Sequence, residues 1–569
     1  MLARLKAWCC RPRSARNTVL WLSAFLALAT NWPLWIALAS LHEPMSYRLA
    51  AMAGMVCLVF LGTAALLTLT AWGRWMKPLW MGVVAVAAVA QYYMWTFRIV
   101  VDPSMIANVL QTDVREARDV LDWRLLLAAL AVCVPAFAWL ACVRIRPQRL
   151  WPHLWRNGVQ FAVIVALAVI CIVGASRVLA PLMRNHTQLR YMMNPLASLY
   201  SVGHVALQPL FKRSGRIEPI SAAAVLGPAS AKPPLLVLVV GETARADHFA
   251  LNGYARDTTP ALAKREVLSF RNVYSCGTNT IASVPCMFSH LGKSDFESRD
   301  RDYENLLDVL QAAGLAVFWL DNQSGCKDVC GRIPYARTND AAQIAAYPAL
   351  CEDGNCLDLI MLEGLDSRLA ALPSERRAKG IVLVMHQIGS HGPAYFRRSS
   401  PAQKRFMPEC TNLTISACSQ EELINAYDNS IFATDDFLGA TIDWLKKQSD
   451  HYDTGLLYLS DHGESLGEMG LYLHGLPYRF APDAQKHVPM VMWFAPGWLA
   501  DRGLRRDCLE AQRDAALSHD NFYHTVLGLM DVRSPTYKRA LDALAMCRLA
   551  IAAQTEKSSA PVSNQTLDH

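Results

Sequence analysis

Residues 235–243 read LLVLVVGET: six aliphatic residues in a row, then a glycine, a carboxylate and a hydroxyl. Six unbroken apolar positions have the length of a strand, and leucine and valine at every position leave no polar face. Such a strand is covered on both sides. Four more runs share the pattern: Ala316–Leu320, Ile381–Met385, Leu456–Ser460 and Val488–Trp493. Between them, Asn305–Ala313 and Glu421–Lys447 have the apolar spacing of amphipathic helices. Strands alternating with helices predict an α/β domain with a mostly parallel sheet and helices on both faces.

In such sheets ligands gather beyond the carboxyl ends of the strands. Glu242 and Thr243 follow the first strand, and Asp321 and Asn322 follow Ala316–Leu320. His386 and then His391 (HQIGSHGP) follow Ile381–Met385; Asp461 and His462 (SDHGE) follow Leu456–Ser460, with His474 in LYLHG soon after. One Asp after a strand is ordinarily a cap or turn former. Glu, Asp-His, His and His at several strand ends together point to a metal site. Zinc suits these donors, and manganese is the alternative for a carboxylate-rich set. The segment Asn272–His290 (NVYSCGTNTIASVPCMFSH) is dense in Ser and Thr between Cys276 and Cys286. A disulfide across it would hold one hydroxyl for metal activation as a nucleophile, although a loop stapled for stability alone fits the same residues.

Toward the N terminus the character changes. Thr18–Leu41, Leu49–Ala71, Leu79–Phe97, Leu125–Val143 and Val159–Ser176 are apolar, each near the roughly 20 residues of a helical membrane span. Trp21, Trp35, Trp72, Trp80, Trp123, Trp151 and Trp155 gather at their ends, as aromatic rings do at headgroup depth. Ala37-Leu38-Ala39 resembles a signal cleavage site, but the span is longer than a usual signal core and its loss would leave four helices. The 569 residues are 53% hydrophobic and 18% charged, with net charge +7. That excludes a disordered chain, a disulfide mini-protein and an ordinary cytosolic enzyme. Residues 1–180 hold 17 Lys and Arg against 6 Asp and Glu, whereas residues 181–569 hold 38 against 42. Basic charge between hydrophobic spans indicates a membrane rather than nucleic acid. Arg4, Lys6, Arg11, Arg13 and Arg16, then Arg74 and Lys77, then Arg144, Arg146, Arg149 and Arg156 mark one side as cytoplasmic. Five spans from a cytoplasmic N terminus place everything after about residue 180 outside.

Cysteine usage agrees. Ten cysteines follow residue 270: Cys276, Cys286, Cys326, Cys330, Cys351, Cys356, Cys410, Cys418, Cys508 and Cys547. An even set in an oxidising compartment reads as five disulfides. Many connectivities are open; eight of the ten fall into close couples, which leaves Cys508 with Cys547. The expected units are a membrane domain over 1–180, a connector over 181–232, an α/β domain over 233–555 and a disordered tail over 556–569. Within the connector, Asn194–Phe211 suits either an interfacial helix or packing on the α/β domain.

Taken together, the five spans and GETAR, SCGTNT…SVPC, DNQSGC, HQIGSHGP, SDHGESLGE and LYLHG resemble the lipid A-modifying phosphoethanolamine transferases of the alkaline phosphatase/sulfatase superfamily. The resemblance implies a multi-pass bacterial inner-membrane enzyme whose catalytic domain is periplasmic. It implies one tightly bound Zn2+ on Glu242, Thr280, Asp461 and His462, with Thr280 the nucleophile. His391 and His474 would contact the phosphoryl group or a second zinc, and Asn322 and Lys327 the substrate phosphate. The loop Val101–Asp122 places Asn108, Thr112 and Glu116 at i, i+4 and i+8, one face of a helix. The family's matching positions are proposed to hold the donor's ethanolamine, although an amphipathic surface helix explains the spacing equally. The implied donor is phosphatidylethanolamine and the acceptor a lipid A (lipopolysaccharide) phosphate, by way of a phosphothreonine, in a monomer embedded among membrane lipids. The modification would lower surface charge and raise resistance to polymyxin and other cationic peptides. Core sugars or proteins are alternative acceptors. A glycerolphosphate transferase like lipoteichoic acid synthases is a further alternative, though five disulfides are not expected there. A sulfatase is disfavoured, because the nucleophile segment lacks Cys-x-Pro-x-Arg.

Overall fold

A computed structural model describes residues 12–41, 43–72, 75–111, 121–146, 150–186, 188–211, 217–338, 340–352 and 355–549. The expected disordered tail and Thr112 and Glu116 lie outside the described residues. The N-terminal part is helical: α1 Ala15–Ala29, α2 Trp32–Ala39, α3 Met45–Leu69, α4 Met76–Thr96, α5 Pro103–Gln111, α6 Trp123–Cys142 and α7 Leu150–Gly174. Helices α3, α4, α6 and α7 are each long and apolar enough to cross a bilayer.

The first expected span is not one rod. Helices α1 and α2 meet at 53°, because the residues between them redirect the backbone's hydrogen bonds. Thr30 Oγ1 donates back to the Leu26 carbonyl at 2.7 Å. Asn31 Nδ2 donates to that carbonyl and, at 2.6 Å, to the carbonyl of Asn194. Pro33 in the first turn of α2 has no N–H to continue the ladder. Counted as one broken span, the pair brings the total to five. Asn194 answers with its backbone N–H on Asn31 Oδ1 and its amide on the carbonyls of Thr30 and Ala87, so the buried break is fully hydrogen-bonded.

The chain then leaves the spans through α8 (Ser176–Asn185) and α9 (Leu196–Phe211). Leu179 and Leu182 of α8 pack with Leu34, Leu38 and Met55. Helix α9 lies against α5, with Ser201 Oγ donating to the Val101 carbonyl at 2.9 Å. The Asn194–Phe211 stretch therefore packs on the membrane-domain helices.

The C-terminal domain is built on strands β1 Pro234–Gly241, β2 Leu268–Tyr274, β3 Ala316–Asp321, β4 Tyr335–Arg337, β5 Ile381–His386, β6 Asp453–Ser460, β7 His487–Phe494 and β8 Leu517–Ser518. Their order is β8-β2-β7-β6-β1-β5-β3-β4. Pairings from β6 through β1, β5 and β3 to β4 are parallel, whereas β7 runs antiparallel to both β6 and β2. Strand β1 is central and buried along its whole length. Leu236, Leu238 and Val240 join one core with Leu306, Leu307 and Leu310 of α11 (Leu306–Ala312). Leu235, Val237 and Val239 join the other with Ile431, Phe437 and Leu438 of α12 (Gln420–Gln448). Each such fully buried side chain contributes on the order of 1.5–3 kcal/mol. Five disulfides, Cys276–Cys286, Cys326–Cys330, Cys351–Cys356, Cys410–Cys418 and Cys508–Cys547, brace the loops.

The two parts touch. Val100 packs with Leu476 and Ala481, and Thr414 Oγ1 donates to Asp122 at 3.3 Å.

Candidate active site

Thr280 opens an eight-residue helix, Thr280–Met287 (α10 in chain order). Asn279 caps it, its side-chain oxygen accepting from the Ala282 N–H at 3.0 Å. The preceding loop is fixed from three sides. Thr278 Oγ1 donates to the Leu476 carbonyl, the Thr278 carbonyl accepts from Gly475, and Cys276 is bonded to Cys286 inside α10. Thr280 is thereby buried, with Oγ1 donating to Glu242 Oε2 at 3.1 Å.

Glu242 stands where β1 ends. The turn behind it is gripped by Tyr427 of α12, whose hydroxyl donates to the Thr243 carbonyl and accepts from the Arg245 N–H. From β6 come Asp461 and His462, both fully buried. Asp461 Oδ1 accepts from the N–H groups of Thr243 and His462. His462 Nδ1 donates to the Gly463 carbonyl at 2.9 Å, which leaves Nε2 with its lone pair. That lone pair lies 3.3 Å from Glu242 Oε1 and 3.4 Å from Asp461 Oδ2. His462 Nε2 and Asp461 Oδ2 are buried without a hydrogen-bond partner. A lone pair facing two carboxylate oxygens in a dry site is repulsive unless a cation lies among them. Glu242, Asp461 and His462 offer atoms within 4.8 Å of one another, so the donor set fits a divalent metal ion, with Thr280 Oγ1 at its edge.

Two further histidines complete the pocket. His474 Nδ1 donates to Glu464 Oε2 at 3.0 Å, and its ring lies 4.4 Å from that of His462 and 5.4 Å from that of His391. Burial first, and then the electrostatic influence of His474, Arg398, His462 and Lys327, holds the His391 pKa well below its ordinary value. The loop carrying His391 is clamped by Asp358, which accepts from the N–H groups of Ile388 and Gly389. Gly389 has φ +49°, and a Cβ there would meet the Glu242 carbonyl oxygen at 2.7 Å. Only glycine allows that approach.

The DNQS turn distributes its amides differently from the expectation. Asp321 Oδ1 accepts from the N–H groups of Gln323 and Gly325, and this Asx turn directs Asn322 away from the cluster. Both ends of the Asn322 amide are engaged, with Asp358, the Cys356 carbonyl and Thr338. Gln323 is the residue that reaches in, its Nε2 donating to Glu242 Oε2 at 3.0 Å. Lys327 donates to Ser324 Oγ at 2.6 Å and lines a cavity of about 850 Å³. Ala107 and Leu110 of α5, Val205 of α9 and Ile281 of α10 line the same cavity, which therefore lies between the membrane-domain helices and the Thr280 helix. Asn108 sits on α5 among these residues.

Two more histidines support the site: His386, one of the strand-end residues, and His519, which lies in no motif. His386 Nδ1 donates to Asp321 Oδ2 at 3.1 Å. Burial opposes its charged form, but that hydrogen bond and the charges of Asp321, Glu242 and Asp461 outweigh burial and raise its pKa. His519 accepts from the Cys276 N–H with Nδ1 and donates to the Ser460 carbonyl with Nε2. It thus ties the Thr280 loop to the end of β6. A histidine outside any motif gives no sign of this.

A mostly parallel sheet with acidic, imidazole and hydroxyl groups at its strand ends, joined to helices long and apolar enough to cross a bilayer, fits a membrane-anchored enzyme of the sulfatase and alkaline phosphatase class. Comparison with known proteins narrows this. The Sulfatase family matches residues 234–532, and the family described as phosphoethanolamine transferase EptA/EptB matches residues 55–210. Phosphoethanolamine transferase EptA of Salmonella typhimurium is 38% identical over 480 residues, 82% of this chain and 84% of that protein. Phosphatidylethanolamine transferase Mcr-1 of Escherichia coli is 38% identical over 494 residues, 85% of this chain and 89% of that one. The solved structure of the integral membrane lipooligosaccharide phosphoethanolamine transferase A from Neisseria meningitidis superposes with a TM-score of 0.87 at 33% identity. It covers 95% of this chain and 100% of that one. The chain belongs to the phosphoethanolamine transferase family and is a transferase.

Proposed function

We propose that the chain moves phosphoethanolamine from phosphatidylethanolamine to a phosphate of lipid A by way of a phosphothreonine on Thr280. The observation that carries this reading is the buried Thr280 hydroxyl, 3.1 Å from Glu242 and beside Asp461 and His462. The cavity that Ile281 and Pro285 of the Thr280 helix line together with Ala107, Leu110 and Val205 of the membrane-domain helices supports a lipid donor. The relation to a lipooligosaccharide phosphoethanolamine transferase from Neisseria meningitidis supports a lipopolysaccharide-type acceptor.

In the first step Thr280 Oγ1 bonds to phosphorus and the bond to the diacylglycerol oxygen breaks. The proton that leaves Thr280 along its hydrogen bond to Glu242 ends on diacylglycerol. In the second step an oxygen of the lipid A hydrogen phosphate bonds to the same phosphorus, the bond to Thr280 Oγ1 breaks, and the proton of that hydrogen phosphate passes to Thr280. A Zn2+ held by Glu242, Thr280, Asp461 and His462 would lower the hydroxyl's pKa and withdraw charge from the phosphoryl oxygens. Gln323 holds Glu242 in place, and His391 and His474 supply donors and acceptors to the transferring group. Lys327 offers a cation to the donor phosphate, and Asn108, with Thr112 and Glu116, a polar site for its ammonium. The basic loops orient the N terminus to the cytoplasm and the α/β domain to the periplasm of an inner membrane. Ethanolamine on lipid A cancels phosphate charge and weakens attraction for polymyxins.

Expression of the wild-type chain in a polymyxin-sensitive Gram-negative host is expected to add phosphoethanolamine to lipid A, read by mass spectrometry, and to raise polymyxin tolerance. Thr280→Ala is expected to fold, reach the membrane and add none, a loss of about 10³-fold or more. Unmodified lipid A from the wild type, with modified core sugar or protein instead, would move the acceptor. Full activity in Thr280→Ala would remove the nucleophile.

A further inference from the structure

A second concave feature lies at the end of the membrane domain away from the α/β domain. It is a groove of about 650 Å³ between the start of α1, the later part of α3 and the first half of α7. Phe60, Val163, Ile164 and Leu167 give it an apolar wall, and Arg16 and Arg156 stand at its mouth. Its geometry is fixed by bonds from α7 to the end of α3. His153 Nε2 and Asn157 Nδ2 both donate to the Ala71 carbonyl, at 2.8 and 3.2 Å, and Gln160 Nε2 donates to Thr68 Oγ1 at 3.2 Å.

The two arginines differ from those anchors. Both are exposed, and among the described residues neither has a hydrogen bond, ion pair or ring contact. Among the described residues no carboxylate pairs with either of them. Residues 1–42, 44–101 and 123–217 contain no Asp or Glu, and Asp122 instead meets Thr414 of the α/β domain. From Arg156 to Leu167 an α-helix rises about 16 Å, close to half the roughly 30 Å hydrocarbon core. The groove thus runs from headgroup depth to the bilayer middle, the reach of one acyl chain.

We infer that this groove is a binding site for an anionic glycerophospholipid of the leaflet that faces the N terminus. Its phosphate engages Arg16 and Arg156 while one acyl chain lies along Val163–Leu167. Zwitterionic lipids fit the apolar wall equally well, but they bring an ammonium among unpaired guanidinium groups; net negative charge is what this mouth selects. The site is separate from Thr280 and does not depend on the transfer chemistry.

The test is native mass spectrometry of the full chain in neutral detergent with equimolar phosphatidylglycerol and phosphatidylcholine. The wild type is expected to retain phosphatidylglycerol in preference by about fivefold or more. Arg16→Gln combined with Arg156→Gln is expected to bring the ratio near one, and the double lysine variant to keep it. Arg144→Gln, at the same end but outside the groove, is expected to leave it unchanged. Leu167→Trp, which fills the apolar wall and alters no charge, is expected to reduce retention of both lipids, and guards against a double variant that fails to fold. Equal retention of both lipids by the wild type would overturn the proposal. So would an undiminished preference in a folded double glutamine variant, or a preference that Arg144→Gln abolishes.

Discussion

His519 makes no contact with the reacting group, yet it spans the two loops that meet there. Burial first, and then the electrostatic influence of His462 and Lys293, holds its pKa at about 4, against about 6.5 in an unfolded chain. Between those values the unfolded state binds the extra proton and the folded state does not. The stabilisation is therefore whole above about pH 6.5 and is lost as pH falls toward 4, to a limit of about 3 kcal/mol. His519→Gln is expected to flatten the dependence of melting temperature on pH across that window relative to wild type; parallel curves would contradict it. Asn31 behaves differently, since its role is hydrogen-bond capacity rather than charge. Asn31→Ala leaves the Asn194 N–H without its acceptor in a buried site. The expected cost is about 1–3 kcal/mol, measurable by thermal unfolding in detergent.

At the scale of elements, the loop after β5 decides whether His391 faces the cluster of Glu242, Asp461 and His462. Asp358 is the clamp, so Asp358→Ala strands two buried N–H groups and frees the loop. The prediction is a transfer rate lowered by about tenfold or more with secondary structure retained, checked by activity assay beside circular dichroism. Wild-type activity would show that the loop keeps its place unaided. The strands that hold the site were legible because each is apolar on both alternations and ends on a chemically active residue. Strand β2 was not: its Arg271 and Asn272 interrupt the apolar run, and its partner β7 supplies the register. Strands β4 and β8 are too short to carry a pattern. The bend in the first span was hidden for another reason. Apolar length counts residues, whereas the break depends on Asn31 finding Asn194 far along the chain. The same limit applies to the site: motif spacing brought Glu242, Asp461 and His462 to one sheet edge, but the Asx turn that exchanges Asn322 for Gln323 is a matter of local dihedrals.

The whole molecule joins a helical membrane domain to an α/β transferase domain, with a cavity between them that Ile281 and Pro285 of the Thr280 helix help to line. Such an arrangement suits a substrate that never leaves the bilayer, because anchoring replaces diffusion through water with a search in two dimensions. A bound metal would belong to this scale as well, since Glu242 follows β1, Asp461 and His462 follow β6 and Thr280 opens α10. Removing it with a chelator is expected to abolish transfer and to lower the melting temperature, with zinc restoring both; unchanged melting and activity would separate the site from any metal. The account's central claim is that Thr280 carries the headgroup between two lipids. Its most direct test is mass spectrometry of the purified full chain after brief incubation with phosphatidylethanolamine and no acceptor. The account predicts one phosphoethanolamine on the peptide containing Thr280, discharged when lipid A is added. A fully active preparation in which that peptide never carries the group would contradict it.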